Sequence, residues 1–209
     1  MRATISAKAV KAIAPWASKD LSRGIITSIK IDLLPGSYRL VATDSYKLAV
    51  IEGKRKGDGK ASLTIDGNAL ANQLKASDDY LVIDTETMTA YPGKRGQAEP
   101  IDYLEQQKDD HRAIIKMREV EGHFPKWQKL IPEEQETTTT ETVAVNPGYL
   151  EDAGKLVKTI AGRMKTSLHI CLQSPTKPVL FWSGINHLQI LARMVVMPIR
   201  DDNAIPTYC

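Results

Sequence analysis

The sequence predicts an α+β fold made of three similar units, each a strand, a helix and three further strands. The first observation is that this order of hydrophobic patterns occurs three times, at intervals of roughly 60 residues. The second is that each unit has one helical pattern and several alternating ones, so its helix can cover only one face of its strands. The composition agrees, because a chain of 209 residues with 42% hydrophobic and 25% charged residues can bury a core.

The first unit occupies residues 1–52. Its helix is amphipathic, since Val10, Ile13 and Ala14 are spaced to lie on one buried face. A Pro-Gly-Ser turn at residues 35–37 joins two of the strands. The predicted elements are a strand at 2–6, a helix at 7–17 and strands at 25–34, 38–43 and 47–52.

The second and third units repeat this order. Asp66 is placed to cap the helix of the second unit. The helix of the third unit has the clearest pattern, with Leu150, Ala153, Val157 and Met164 predicted on one buried face. The second unit is predicted as a strand at 62–65, a helix at 66–76 and strands at 80–84, 88–91 and 113–120, and the third as a strand at 142–145, a helix at 147–165 and strands at 168–172, 179–183 and 189–197.

Polar segments divide the chain. Residues 92–110 are too long for a hairpin turn, so they form either an insertion or an interaction element, and the sequence favours an insertion. Residues 133–140 are of low complexity, as in a linker. The predicted division is a domain of two units at 1–132, a linker at 133–141, a single unit at 142–200 and a tail at 201–209.

Several classes of function find no support. Cys171 and Cys209 are too few for a disulfide framework and are expected to be reduced, and the four histidines lack zinc-ligand spacing. The apolar runs are too short to span a membrane and no signal peptide is recognisable, so we expect a cytoplasmic protein. Residues 53–59 lack the order of a phosphate loop, and acidic pairs such as Asp109-Asp110 do not recur as in a metal-dependent nuclease. We expect no catalysis and no cofactor.

Positive charge lies towards both ends of the chain. Residues 1–60 contain 12 Lys/Arg against 5 Asp/Glu, and residues 145–209 contain 7 against 4. Lysines form stripes opposite the apolar faces of two predicted helices: Lys8, Lys11 and Lys19 in the first unit, and Lys155, Lys158 and Lys165 in the third. The stripes either meet a polyanion or are ordinary solvated surfaces, and Glu151, four residues before Lys155, suits the second explanation.

Three segments resemble the signature segments of a known family. They are residues 41–50 (VATDSYKLAV), 121–132 (EGHFPKWQKLIP) and 194–200 (MVVMPIR). Their order, and their place within repeated units, are similar to those of the bacterial sliding clamp, the beta subunit of DNA polymerase III. The first two units resemble the middle domain of a full-length clamp, and the third resembles the last half of its final domain.

The resemblance implies a ring that encircles duplex DNA, with helices lining the hole, and that tethers a DNA polymerase without reading sequence. It implies partners of double-stranded DNA, a DNA polymerase and a clamp loader, and DNA contacts at the stripe lysines and at Arg23. Family rings contain twelve units, so three per chain imply a head-to-tail homotetramer in which the third unit meets the next chain's first unit. The alternative is an interaction protein without a ring, a decoy or regulator of another clamp's partners.

The resemblance also implies a pocket for short peptides of partner proteins. Its residues are mostly apolar or small, which suits a peptide with an aliphatic or aromatic anchor. Ser45 and Tyr46 replace a Gly-His pair usual in the family, which predicts a reshaped groove. Core packing is the other explanation for these residues, with Val196 expected in the core and Trp127 at a unit junction. The implied lining is Ile26, Thr43, Ser45, Tyr46, Lys47, Leu48, Pro125, Lys129, Leu130, Val195, Met197, Pro198, Ile199 and Arg200.

Overall fold

The computed structural model describes residues 1–55, 58–94, 114–131, 143–172 and 177–199. The predicted linker, the tail, Arg200, Cys209 and most of the 92–110 connection lie outside the described residues. The described helices are α1 (Ala7–Ile13), α2 (Gly67–Gln73) and α3 (Pro147–Ala161), and the strands are β1 (Arg2–Ser6), β2 (Ile29–Leu34), β3 (Ser37–Thr43), β4 (Lys47–Lys54), β5 (Ala61–Ile65), β6 (Tyr80–Asp84), β7 (Thr89–Gly93), β8 (Ile115–Lys116), β9 (His169–Cys171), β10 (Val179–Ile185) and β11 (Ile190–Val196).

The three helices begin in the same way. The N-caps are Ser6, Asp66 and Asn146, whose side-chain oxygens accept hydrogen bonds of 3.2, 2.9 and 2.8 Å from backbone N–H groups of the first turn. These bonds satisfy donors that the helix itself leaves unpaired. The predicted cap at Asp66 is confirmed. Each cap directly follows an extended segment, so the three units share the same order of an extended segment, a cap and a helix.

The first two units exchange their first strands. All strands pair antiparallel, in a four-stranded sheet of order β1-β6-β7-β8 and a seven-stranded sheet of order β5-β2-β3-β4-β11-β10-β9. Strand β1 of the first unit pairs with β6 of the second, and β5 of the second unit pairs with β2 of the first. This exchange links the two units through both sheets.

The third unit joins the first unit edge to edge. Strands β4 and β11 pair along their length, from Gly53 opposite Ile190 to Lys47 opposite Val196. The spatial order of the units is therefore second, first, third. The expectation that the third unit meets the next chain's first unit is wrong, because the first unit already has a neighbour on each side within the chain.

The helices form one layer over the sheets. Helix α1 packs against both α2 and α3, and the main core lies between this layer and the strands. A second apolar cluster lies on the opposite face of the seven-stranded sheet and consists of Val41, Leu48, Val50, Trp127, Leu180 and Val195. Val195 faces this outer cluster and Val196 faces the main core, so the prediction for Val196 is confirmed.

Residues 117–131, the covering segment, connect the second unit to this outer cluster. The N–H of Val120 donates to Thr64 O at 2.8 Å on β5, and Trp127 is buried among side chains of the first and third units. As predicted, Trp127 therefore fills a unit junction. The predicted strand at 113–120 is corrected to the short β8, because residues 117–120 belong to the covering segment.

All three predicted helices are too long; α2, predicted to reach residue 76, ends at Gln73. Helix α1 ends at Ile13 and continues as a 3-10 turn, Ala14–Trp16, because Pro15 has no N–H with which to extend an α-helix. Helix α3 ends at Ala161, since Gly162 has a φ of 66° and caps the helix in the left-handed region. Lys19 and Lys165 were predicted to belong to the lysine stripes of these helices. Both residues therefore lie beyond the ends of α1 and α3.

Other expectations also change. Leu150 and Met164 are exposed, and Leu156 takes a place in the core instead. The predicted strand at 25–34 is shortened to β2, because residues 25–27 belong to a 3-10 segment, Leu21–Thr27. This segment is itself interrupted at Gly24, whose φ is 56°. Residues 143–146 are not assigned to a strand, although they occupy the place of β1 and β5 in the third unit.

Candidate DNA-facing helices and junction surface

The lysines of α1 bind groups of the second unit. Lys8 Nζ donates to Asp79 Oδ1 at 2.9 Å, and Lys11 Nζ donates to Leu74 O at 3.0 Å, at the C-terminal end of α2. A cation at this end complements the helix dipole and an unpaired carbonyl group. Both side chains remain partly exposed, so their charge stays at the helix surface.

The lysines of α3 are more exposed. Lys155 Nζ lies 2.6 Å from Glu151 Oε1, and both side chains are 65% exposed. This hydrogen bond and the charge of Glu151 raise the pKa of Lys155. Lys158 is also exposed and has no acidic partner among the described residues. Since α1 and α3 pack side by side, the structure brings the two predicted stripes onto one helix layer.

Arg23 lies at the turn between β3 and β4. Its Nη1 donates to Asp44 O at 2.7 Å and its Nη2 donates to Ser45 Oγ at 2.7 Å. The guanidinium carbon is 6.0 Å from the centre of the Tyr46 ring. The structure thus places Arg23 beside residues predicted for the peptide pocket.

The same turn is held by its own side chains. Asp44 Oδ1 accepts from the N–H groups of Tyr46 and Lys47, each at 2.9 Å. Thr43 Oγ1 donates to Lys47 O at 2.8 Å and accepts from Ser45 N at 3.1 Å. Ser45 has a φ of 80°, in the region that favours glycine. The turn therefore holds a serine in a backbone conformation that glycine adopts more readily.

Lys47 belongs to the junction of the first and third units. Its side chain is 8% exposed, and its Nζ forms an ion pair with Asp152 of α3. The same Nζ lies 5.1 Å from the Trp16 ring centre and 5.6 Å from that of Tyr149. A buried ammonium needs such partners, and the structure places Lys47, predicted for the pocket lining, inside this junction.

Sequence reasoning missed Asp152, Trp16 and Tyr149 at this junction. Burial raises the pKa of Tyr149, and the nearby groups Asp44, Tyr46 and Asp152 add to the effect. Tyr149 therefore lies close to the turn between β3 and β4. The only available signal was the pair of aromatic residues next to helix termini, which is too common to identify a junction.

The predicted pocket residues divide into a buried set and an exposed set. The buried ones are Ile26, Thr43, Lys47, Leu48 and Val195, and the exposed or partly exposed ones are Ser45, Tyr46, Pro125, Lys129, Leu130, Met197, Pro198 and Ile199. Leu48 and Val195 pack beneath Trp127 in the outer cluster, which agrees with the core-packing explanation for these two.

Backbone hydrogen bonds bring part of the exposed set towards one surface. Met197 N donates to Tyr46 O at 3.1 Å, and Ile199 N donates to Ala144 O at 2.8 Å. Residues 197–199 thus run from the β3–β4 turn to the start of the third unit. We call Tyr46, Met197, Pro198 and Ile199 the junction surface, while Pro125, Lys129 and Leu130 are exposed on the covering segment. Its large exposed apolar side chains are suited to contact with another protein.

The described residues show neither a metal site nor a membrane-spanning helix. No group of three His, Cys, Asp or Glu side chains there is placed to hold a metal ion. None of the helices in the described ranges is both long enough and apolar enough to cross a bilayer. Cys171 is free and partly exposed.

The described residues form a mixed α+β structure with two antiparallel sheets, and this arrangement matches the fold of the DNA clamps. The match is specifically to the fold of the bacterial sliding clamps, the beta subunits of DNA polymerase III. The DNA polymerase III beta subunit of Thermotoga maritima superposes with a TM-score of 0.66 at 14% identity, covering 96% of this chain and 66% of that one. The Bacillus subtilis DNA polymerase sliding clamp gives a TM-score of 0.66 at 13% identity, covering 96% of this chain and 64% of that one.

The Helicobacter pylori beta clamp, solved in complex with carprofen, gives a TM-score of 0.67 at 14% identity, covering 95% of this chain and 67% of that one. The chain thus spans about two thirds of the length of the clamps that it matches. No family model matches the sequence. The likeness to these clamps is therefore one of fold.

Proposed function

We propose that this protein is a non-enzymatic sliding clamp, a ring of several copies that encircles duplex DNA and tethers a DNA polymerase to it. The observation that supports this most strongly is the seven-stranded sheet, which continues from the first unit into the third with the helices on its other side. A sheet that continues from unit to unit can form the outer wall of a ring. The role places the protein with the DNA in the cytoplasm.

The helix layer is the proposed DNA-facing surface. Its basic residues are Lys8, Lys11, Lys155 and Lys158. Lys19 and Lys165 lie beyond the helix ends, and Arg23 lies beside the β3–β4 turn. The α2 helix carries no charged residue, so the attraction comes from the first and third units. Lysines on flexible side chains attract phosphates without reading bases, as sliding requires.

The junction surface is the proposed binding site for partner peptides. Tyr46, Met197 and Ile199 offer exposed apolar area, and the buried residues beneath them provide a firm base. A peptide from a DNA polymerase or a clamp loader would insert an aliphatic or aromatic anchor here. The exposed Tyr46 distinguishes this surface from the usual family groove.

The number of units suggests the size of the ring. With three units per chain and twelve per family ring, four chains form a homotetramer. Cyclic and dihedral arrangements both close with four chains, so the count alone does not fix the joints.

The test is retention on circular DNA. A ring stays on a nicked circular plasmid during gel filtration at moderate salt and slides off the same plasmid after linearisation. Equal release from both forms would contradict the proposal. A protein that remains a single chain and still binds the polymerase peptide would support the decoy instead.

The lysines are tested by the salt dependence of DNA binding. Replacing Lys155 and Lys158 with Ala should lower the slope of log K against log salt by about 0.9 for each lost phosphate contact. Replacing the exposed Lys54 and Lys126, which lie outside the helices, serves as the matched control and should leave the slope unchanged. Equal slopes for the two double variants would show that the helix layer does not face DNA.

A further inference from the structure

The strand exchange within the chain follows a simple rule. In each of the first two units, the strand that follows the helix receives the first strand of the other unit: β2 receives β5, and β6 receives β1. Each unit therefore acts once as a donor and once as an acceptor. Neither β2 nor β6 is left as a sheet edge.

The third unit has both parts of this exchange, but neither is used within the described part of the chain. Strand β9 follows α3 and is an outer edge of the seven-stranded sheet, with β10 as its one described neighbour. Ile170 on this strand is 55% exposed. An open edge with exposed apolar side chains favours the addition of another strand.

The donor of the third unit is the segment 143–145, directly before the cap Asn146. Val143 and Val145 pack against the main core while Ala144 is exposed, which is the alternation of a strand. Ala144 O accepts from Ile199 N, but the segment is not part of either sheet. It corresponds to β1 and β5, each of which ends at a helix cap.

We infer that two copies of this chain exchange these segments across a two-fold axis. Residues 143–145 of each copy add antiparallel to β9 of the other, and the two third units complete a domain of the kind that the first two units form. A second copy of this chain fits the open edge of β9, because each third unit has, within the described residues, both an unpaired strand edge at β9 and a first segment at residues 143–145 that belongs to neither sheet. The inference depends on the sheets alone and does not require DNA binding.

A further outer strand, β8 of the four-stranded sheet, does not compete for this position. Strand β8 is the last strand of its unit, and the last strands β4 and β11 pair with each other within the chain. By the same rule β8 would meet another β8. With two-fold joints at both ends, exchanged and edge-to-edge junctions alternate throughout a four-chain ring, whereas head-to-tail joining of three-unit chains breaks that alternation.

The register of the exchange follows from the caps. Thr4, two positions before the cap Ser6, lies opposite Val82, the third residue of β6. Thr64, two positions before the cap Asp66, lies opposite Lys30, the second residue of β2. Ala144 of one copy should therefore lie opposite Ile170 or Cys171 of the other. These positions suit a disulfide between chains, since opposed Cα atoms in antiparallel strands are about 4.5 to 5.5 Å apart.

The test is cross-linking of the full chain with Cys209→Ser as background. Ala144→Cys is combined either with the native Cys171 or with Ile170→Cys and Cys171→Ser. Mild oxidation should give a two-chain product in at least one register, at a yield several-fold above that of a control in which Thr159→Cys, on the exposed side of α3, replaces Ala144→Cys. Failure of both registers to exceed this control would overturn the inference.

A second measurement uses the mass in solution. Ile170→Lys should halve the particle mass in light scattering while the circular dichroism spectrum is unchanged, because Ile170 is exposed in the single chain. Thr159→Lys is the matched control and should keep the wild-type mass. A single-chain wild type, or an unchanged mass for Ile170→Lys, would overturn the exchange.

The tail of the same chain is the competing occupant of β9. If deletion of residues 200–209 makes the β9 amides exchange rapidly with solvent while the mass stays constant, the tail covers this edge and the inference fails. A ring that fails on circular DNA would leave the cross-link intact, so failure of the proposed function remains distinguishable.

Discussion

The Lys47–Asp152 ion pair should contribute unequally to stability when its two partners are removed. Lys47 is 8% exposed and Asp152 is 32% exposed, so the lysine is the more buried partner. With Asp152→Ala the ammonium stays buried without its carboxylate, at a cost of about 3 kcal/mol of unfolding free energy. With Lys47→Met the aliphatic packing is kept and Asp152 regains water, which lowers the cost to about 1 kcal/mol.

The assay is urea unfolding followed by tryptophan fluorescence, because Trp16 lies 5.1 Å from Lys47 Nζ and should report the junction directly. The double variant Lys47→Met/Asp152→Ala should be more stable than Asp152→Ala alone, since it leaves no unpaired charge. Lys155→Ala, which breaks a solvent-exposed pair, is the control and should leave the midpoint unchanged. A loss for Lys47→Met as large as that for Asp152→Ala would refute this account of the junction.

Three further predictions concern the junction surface, the acid limb of stability and the β3–β4 turn. Met197→Ala with Ile199→Ala should weaken binding of a polymerase-derived peptide at least tenfold by calorimetry without changing the particle mass; unchanged affinity would remove these residues from the binding site. Burial acts to raise the pKa of Asp84, but hydrogen bonds from Arg2 and from backbone N–H groups outweigh burial and lower the pKa. The ionised Asp84 therefore stabilises the folded protein above about pH 4, and this contribution is lost as the pH falls through the lowered pKa. Asp84→Asn should reduce the loss of unfolding free energy between about pH 5 and pH 2 in unfolding titrations. An unchanged loss over this pH range would exclude Asp84 as its source. Ser45→Gly should be more stable than Ser45→Ala by about 1 kcal/mol in urea unfolding, since both lose the bond to Arg23 but only glycine relieves the positive φ; equal stabilities would show that the turn is not strained.

Local patterns in the sequence predicted most of the elements. Alternation located β3, β4, β10 and β11 to within one or two residues, and it turned Val196 and Val195 to opposite faces as observed. The cap at Asp66 was predictable because the chemistry of a helix N-terminus is local. The helix ends were missed where Pro15 and Gly162 act, although both residues are standard terminators.

The contacts between units could not be predicted from these patterns. The Lys47–Asp152 pair joins residues 105 positions apart, and no local signal distinguishes Asp152 from any other exposed helix carboxylate. The same holds for the pairing of β4 with β11, which sets the spatial order of the units. Periodicity shows which face of a strand is buried but not which strand lies beside it, so the candidate pocket divided into buried and exposed residues only in three dimensions.

The covering segment has a consequence for how a ring of this protein would open. The joint between the first and third units is closed by seven paired residues of β4 and β11, by the buried Lys47–Asp152 pair and by Trp127, which the covering segment places across both units. Separating these units would break all three at once and expose the outer cluster to water. In the ring that we propose, a loader would therefore open a junction between chains and leave this junction within the chain intact.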